Sequence, residues 1–397
     1  MKIALVTDTY YPRINGVSAS TRSFATEFVR LGHEVQIFAP AYPQSSKDTL
    51  CVHRFPSLYL FFDPEDRLGI PFWSRGLVHH FIEAQFDIVH TQTPFSLGSA
   101  AIHWARKSGA LIVHTYHTLF TEYVAHYLPW FPQRITRAST RWFSRRYCNR
   151  CDMLVCPSTA MRRVLESYAI SSPIQVIPTG IDLSNFIGHD GPRYRRQLGL
   201  LPENKVLLFM GRVAEEKNID FLLRVVNRVR HRIPHLRLLI AGEGPAKARL
   251  QRMTAQLGLT ECITFLGYLT KDDWRDCYAA ADLFVFSSVT ETQGLVVSEA
   301  MAVGTPVVAV GEMGIKDVMA SGRGGIVTKF DESEFASAIQ RLLLEPQLYQ
   351  SKRSEALEEA GHWSATTMAK RMLANYQSML SKNIHHLPML GENPINP

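Results

Sequence analysis

Two glutamates, Glu291 and Glu299, stand eight positions apart in the segment from Thr290 to Pro306, with Gly294 between them. The segment reads as loop, helix, stop and strand. Gly294 lets the backbone come close to a ligand at the helix start. Leu295, Val296, Ala300, Met301 and Val303 can pack the helix on a sheet. Gly304 and Pro306 end it, and Val307 to Val310 is an apolar strand. Eight helical residues span roughly 12 Å. With Glu291 in the loop and Glu299 in the second turn, the two carboxylates flank the helix N-terminus without touching. That terminus carries the positive end of the helix dipole and unpaired N–H groups, a seat for an anion. A ligand with phosphates in its middle and hydroxyls at both ends, such as a nucleotide-sugar, suits this pattern.

Two cations complete it. Arg212 and Lys217 lie in the loop Gly211 to Asn218, after the apolar run Val206 to Met210. Arg offers a planar fork and Lys a point charge, and together they can stabilise the charge that develops on a departing diphosphate. Beside Glu215 and Glu216 they could also be plain surface charge; with Glu291 and Glu299 in the same half they form a candidate site. His114, His117 and His126 lie close in sequence, and His90 ends the preceding strand. Such histidines serve structural hydrogen bonding, ligand contact or a metal. The lone Cys148/Cys151 pair has no second pair at zinc spacing, so no metal or other cofactor is expected.

The elements that must place these residues are α/β throughout. Ile3 to Val6 is a first strand, followed by a turn-rich loop through Gly16, a helix from Ser20 to Leu31 and a strand at Val35 to Ala39. Further strands are expected at Ile88 to His90, Leu111 to His114, Met153 to Cys156 and Ile174 to Ile177, with a helix at Ser96 to Lys107. After a polar linker, Phe186 to Gly199, the pattern restarts: strands at Val206 to Met210, Leu236 to Ala241, Ile263 to Gly267 and Leu283 to Phe286, and a helix at Asp220 to Val229. Two Rossmann-like halves in tandem follow. Their boundaries are expected at 1–185 and at 186–363, the half that carries the candidate nucleotide-sugar site. A closing helix at 364–380, capped by Ser364, is expected to pack back on the first half, and 381–397 is a tail. No GxGxxG is present, so a dinucleotide cofactor is not indicated.

The chain has 397 residues, 46% of them hydrophobic, and a net charge of +7. No apolar run approaches the ~20 residues of a spanning helix, and Asp8 comes too early for a signal-peptide core. The positive charge is concentrated. Arg134, Arg137, Arg141, Arg145, Arg146 and Arg150 lie in a stretch without an acid, with Trp142, Phe143 and Tyr147 interleaved and Tyr127 to Phe131 just before. A basic helix with aromatics, here Arg134, Arg137, Arg141 and Arg145 with Trp142 and Phe143, is a signature of binding to an anionic membrane surface. No nucleic-acid module accompanies it, so nucleic acid is not expected as a partner.

The set Gly211-Arg212…Glu216-Lys217 and Thr-Glu-Thr-Gln-Gly-Leu-Val-Val-Ser-Glu-Ala-Met-Ala resembles the retaining GT-B glycosyltransferases of family 4, over essentially the whole chain from Tyr10-Tyr11-Pro12…Asn15-Gly16-Val17. The resemblance implies two Rossmann-like domains facing across a cleft. It implies that Glu291 binds donor-sugar hydroxyls, Glu299 the ribose, and Arg212 and Lys217 the diphosphate. Gly16 and the amides of Gly294, Leu295 and Val296 add to the phosphate site, Leu266 and Gly267 lie by the base, and His117 contacts the sugar near its reacting carbon. His117, Glu291, Arg212 and Lys217 are thus the implied catalytic set. No metal is implied, and there is no Asp-x-Asp. Lys217-Asn218 replaces the family's frequent Lys-Gly.

Within the family, Thr115-Tyr116-His117-Thr118 and the residues after it resemble the diacylglycerol glucosyltransferases. This implies hexose transfer from a nucleoside-diphosphate sugar, UDP-glucose foremost, to a membrane lipid by a cytoplasmic enzyme peripheral at the inner membrane face. Transfer from GDP-mannose or a UDP-sugar to a polysaccharide or soluble acceptor, a UDP-sugar epimerase, and a non-catalytic nucleotide-sugar sensor are the alternatives.

Overall fold

The computed structural model describes residues 1–13, 15–43, 49–60, 63–117 and 133–384. They form two compact units. The first contains Met1–Cys156, Leu165–Ile177 and the chain from Met368 onward; the second contains Pro157–Val164 and Pro178–Thr367.

The first unit carries β1 (Lys2–Val6), β2 (Glu34–Pro40), β3 (Val52–Phe55), β4 (Ser57–Leu60), β5 (Asp63–Gly69), β6 (Ile88–Thr91), β7 (Leu111–Thr115), β8 (Met153–Cys156) and β9 (Ile174–Val176). Seven of these form one parallel sheet in the order β3-β2-β1-β6-β7-β8-β9, while β4 and β5 make an antiparallel hairpin. Helices cover a parallel sheet on both faces, so its strands are continuous apolar runs; Ile3 to Val6 in β1 are wholly buried. The first helix is Gly16–Arg30 and begins ahead of the expected Ser20, because Asn15 caps it by accepting the Ser18 N–H at 2.8 Å.

The second unit restarts the pattern with β10 (Lys205–Met210), β11 (Leu236–Ala241), β12 (Ile263–Gly267), β13 (Leu283–Phe286), β14 (Val307–Val310) and β15 (Gly325–Thr328). Its six strands are parallel in the order β12-β11-β10-β13-β14-β15. In both units the sheet grows outward in both directions from its first strand. The order reverses between β1 and β6 in one and between β10 and β13 in the other. Ligands of doubly wound sheets bind beyond the strand C-termini at that switch point.

The expected polar linker, Phe186 to Gly199, is in fact structured. It holds a short helix, Gly191–Gln197, whose Asp190 cap accepts the Arg193 N–H at 2.8 Å. Arg193 reaches Asp276 at 2.8 Å and Asp273 at 3.0 Å, and Phe186 and Tyr194 are buried in the core of the second unit. The compact units divide at Ile177 and Pro178, where sequence patterning suggests 185/186, because the segment after Pro178 is bonded into the second unit. At the far end, Ala365–Ile384 is a helix whose Thr367 N–H bonds the Ser364 hydroxyl at 3.3 Å. Within the first unit, Tyr376 of this helix packs on Phe28 and shares a 2.5 Å hydrogen bond with His90 Nδ1. The tail from 385 lies outside the described residues.

Candidate active site

In the second unit the two switch-point loops are laced together. Ser287 Oγ donates to the carbonyls of Lys217 and Asn218 at 2.8 and 3.0 Å, and Ser288 Oγ to that of Glu216 at 3.2 Å. Lys217 ends a single turn, Glu215–Lys217, and its Nζ lies 2.6 Å from Glu291 Oε2, with both side chains mostly shielded from water. Asn218 has φ +51°. Asn is among the few side chains that adopt this left-handed conformation readily, so it fills the turn position where the family frequently has glycine. Arg212 is exposed in the same loop, two positions after β10.

The loop after β13 ends at Gly294, with φ +90°, and a Cβ there would lie 2.4 Å from Ile315 Cδ1. The positive φ favours glycine, and any Cβ would also have to displace the end of the Ile315 side chain. Leu295 and Val296 open the helix Leu295–Ala302; their N–H groups have no intrahelical partner, and among the described residues no side chain caps them. Gln293 fixes the loop from behind: its side chain accepts the Thr179 N–H at 2.8 Å and donates to the Thr179 carbonyl at 2.6 Å. Glu299 sits in the second turn and accepts the Tyr278 hydroxyl at 2.7 Å. Burial raises its carboxyl to about 7, partly offset by that hydrogen bond. Burial and the neighbouring carboxylate hold Tyr278 protonated, well above the ordinary phenol range. Leu266 and Gly267 end β12, and the Gly267 carbonyl accepts the Gly242 N–H at 2.8 Å. Lys217 and Glu291 are thus in direct contact. Gly294, Leu295, Val296 and Glu299 share one helix start, and Arg212, Leu266 and Gly267 lie at the C-terminal ends of β10 and β12, with β11 between them.

The first unit is built differently at the same place. Asp8, two residues beyond β1, is buried and sits on the N-terminus of the helix Ser96–Ser108. It accepts the Leu97 N–H at 2.8 Å, the Gly98 N–H at 3.3 Å and the Thr93 hydroxyl at 2.7 Å. Burial pushes its carboxyl upward and these donors pull it back. Gly16 is the first residue of its helix, and a Cβ there would meet nothing within 4 Å. His117, two residues beyond β7, shares a 2.8 Å hydrogen bond between its Nε2 and Gln92 Oε1. Desolvation lowers it to about 4, so it is neutral. His114 is lowered to about 3 by burial, and its Nδ1 lies 2.9 Å from Thr91 Oγ1. His90 bonds Thr115 at 2.6 Å as well as Tyr376. His126 lies outside the described residues, and among those residues no group of three His, Cys, Asp or Glu side chains could hold a metal ion.

The arginine stretch is the helix Gln133–Cys148. Thr136, Thr140, Ser144, Tyr147 and Cys148 face inward. Arg134, Arg137, Arg141 and Arg145 are exposed, together with Trp142 at 64% and Phe143 at 40%. The aromatic run Tyr127 to Phe131 and the motif residues from Thr118 lie outside the described residues. Sequence patterning did not single out Asp8, Gln92 or Tyr278. Asp8 and Gln92 do share one signal: each lies within two residues of the C-terminal end of a switch-point strand.

Two doubly wound parallel sheets, with a cation pair and an acid-flanked, uncapped helix at the switch point of the second, define a glycosyltransferase of the GT-B architecture. The chain belongs to glycosyltransferase family 4: residues 14–185 match the model described as Glycosyltransferase Family 4, and residues 204–345 that of Glycosyl transferases group 1. It is 32% identical to an alpha-monoglucosyldiacylglycerol synthase of Streptococcus pneumoniae over 96% of this chain and 87% of that protein. It is 28% identical to a GDP-mannose-dependent alpha-mannosyltransferase of Mycolicibacterium smegmatis over 88% of this chain and 90% of that protein. Among solved structures, HepE of Anabaena in complex with UDP superposes with a TM-score of 0.74 at 19% identity, over 95% of this chain and 100% of that one.

Proposed function

We propose that this glycosyltransferase moves a hexose, with UDP-glucose as donor, to a membrane lipid such as diacylglycerol, with retention at the anomeric carbon and without a metal. The observation that carries the reading is the Lys217–Glu291 pair beside the uncapped Leu295–Ala302 helix. It juxtaposes a cation for the diphosphate with a carboxylate for sugar hydroxyls. In the reaction the bond from C1 to the phosphate oxygen breaks. A bond from C1 to the acceptor oxygen forms on the same face, and the acceptor proton passes to the departing phosphate. Arg212, Lys217 and the helix N–H groups stabilise the charge on that phosphate, Glu291 holds the sugar, Glu299 the ribose, and His117 serves the sugar near C1. Similarity to the pneumococcal synthase favours the lipid acceptor. The mannosyltransferase relative keeps GDP-mannose as the second donor reading.

The exposed arginine face with Trp142 and Phe143 suits anionic lipid at the inner membrane face; among the described residues no helix is long and apolar enough to cross a membrane. The test is incubation with UDP-glucose or GDP-mannose, with and without diacylglycerol in anionic vesicles. An α-linked glucolipid formed only from UDP-glucose with diacylglycerol supports the reading. A changed sugar nucleotide without acceptor, or binding without turnover, contradicts it. Exchanging Arg134, Arg137, Arg141 and Arg145 for Gln should weaken vesicle sedimentation by roughly 1 kcal/mol per charge.

A further inference from the structure

Gln92 has no role in the assignments above, yet its placement is specific. It directly follows β6, its N–H donates to the Val6 carbonyl of β1 at 2.8 Å, and its side chain is 3% exposed. Its Oε1 lies 2.8 Å from His117 Nε2. A carbonyl oxygen only accepts, so the hydrogen of a neutral imidazole must sit on Nε2. Nδ1 then carries a lone pair, and it has no hydrogen-bond partner among the described residues. We propose that Gln92 is a positioning residue that holds His117 as the Nε2–H tautomer and presents Nδ1 as an acceptor for a substrate hydroxyl. This rests on the transferase reading, since a hydroxyl-bearing substrate is what the lone pair serves.

An amide suits the role because it does not titrate. A carboxylate in its place would stabilise a second proton on the ring, and an imidazolium donates from both nitrogens. The titratable groups that interact with His117 among the described residues are His114 and His90, both kept neutral by burial. His117 itself stays neutral down to about pH 4. The acceptor nitrogen therefore survives across the physiological range.

The test uses the full chain labelled with 15N-histidine, with His117→Asn assigning the signal, and no sugar present. Wild-type Nδ1 should be unprotonated at neutral pH. Gln92→Leu should give mixed tautomers and lower kcat about tenfold, with a smaller change in donor KM. The nearly isosteric Gln92→Glu should protonate Nδ1 at ~pH 5–7 and lose kcat as pH falls through that window, a limb absent from the wild type. A titration of Glu299 is common to both proteins and cancels in the comparison. A single unchanged tautomer in Gln92→Leu, or coincident acidic limbs in Gln92→Glu and wild type, would overturn the proposal. The spectra are read without substrate. If they behave as stated while no transfer is found, the transferase reading fails and the tautomer assignment stands.

Discussion

Both sheets follow the same strand order, and each places a helix immediately after its switch strand, but the two helices begin differently. In the first unit Asp8 reaches over from the β1 loop and bonds two backbone N–H groups of the Ser96–Ser108 helix. In the second unit the helix Leu295–Ala302 begins on Gly294, which has no side chain to cap it, and no other side chain among the described residues bonds its first N–H groups. A carboxylate at a helix N-terminus satisfies the same donors and dipole that an anionic ligand would. The first unit thus fills its anion seat from within. In the second, the Lys217–Glu291 pair lies in the loops that precede the helix and Glu299 sits in its second turn. In the proposed reading, the open helix start of the second unit takes the donor's phosphates, while its counterpart in the first unit is already occupied by Asp8.

The sharpest break of this comparison is Glu291→Ala. Transfer should fall by about two to three orders of magnitude with thermal stability nearly unchanged, measured by turnover and calorimetry; intact turnover would remove Glu291 from the donor site. Next in size is Asp8→Ala. It strands two buried N–H groups and a hydroxyl, so stability should fall by about 3 kcal/mol, while UDP affinity stays at the wild-type value. A large loss of UDP affinity in a folded Asp8→Ala protein would mean that the first unit also binds the phosphates.

The smallest effect concerns Glu299, whose carboxyl is raised to about 7 by burial. Below that value it is neutral and accepts weakly from ribose hydroxyls; above it the carboxylate accepts strongly. UDP affinity should therefore rise up to about tenfold between about pH 6 and about pH 8, and Glu299→Gln should flatten the profile.

The central strands were legible because a parallel sheet buries both faces: β13 and β14 are unbroken apolar runs, while β11 is interrupted only by Arg237 and the edge strand β12 by Thr264. The segment around Glu291 was legible for a related reason: glycine and proline punctuate it. The helix Gly191–Gln197 was not. It is short, rich in arginine and held by Asp273 and Asp276, some eighty residues away, and no local periodicity reports such partners. Asp8 was visible only as a charge that interrupts an apolar run. Its donors come from the loop after β6 (Thr93) and from the first turn of the helix Ser96–Ser108 (Leu97 and Gly98). Likewise the bond between Gln92 and His117 joins residues on neighbouring strand ends, a proximity that appears only once β6 and β7 are paired.

The division of labour between the halves is tested most directly by calorimetric titration of UDP into three proteins: wild type, Arg212→Ala with Lys217→Ala, and Asp8→Asn. Loss of roughly a hundredfold or more in affinity in the double variant, with wild-type affinity in Asp8→Asn, is the predicted result. Equal affinity in the double variant and the wild type would contradict the placement of the diphosphate in the second unit.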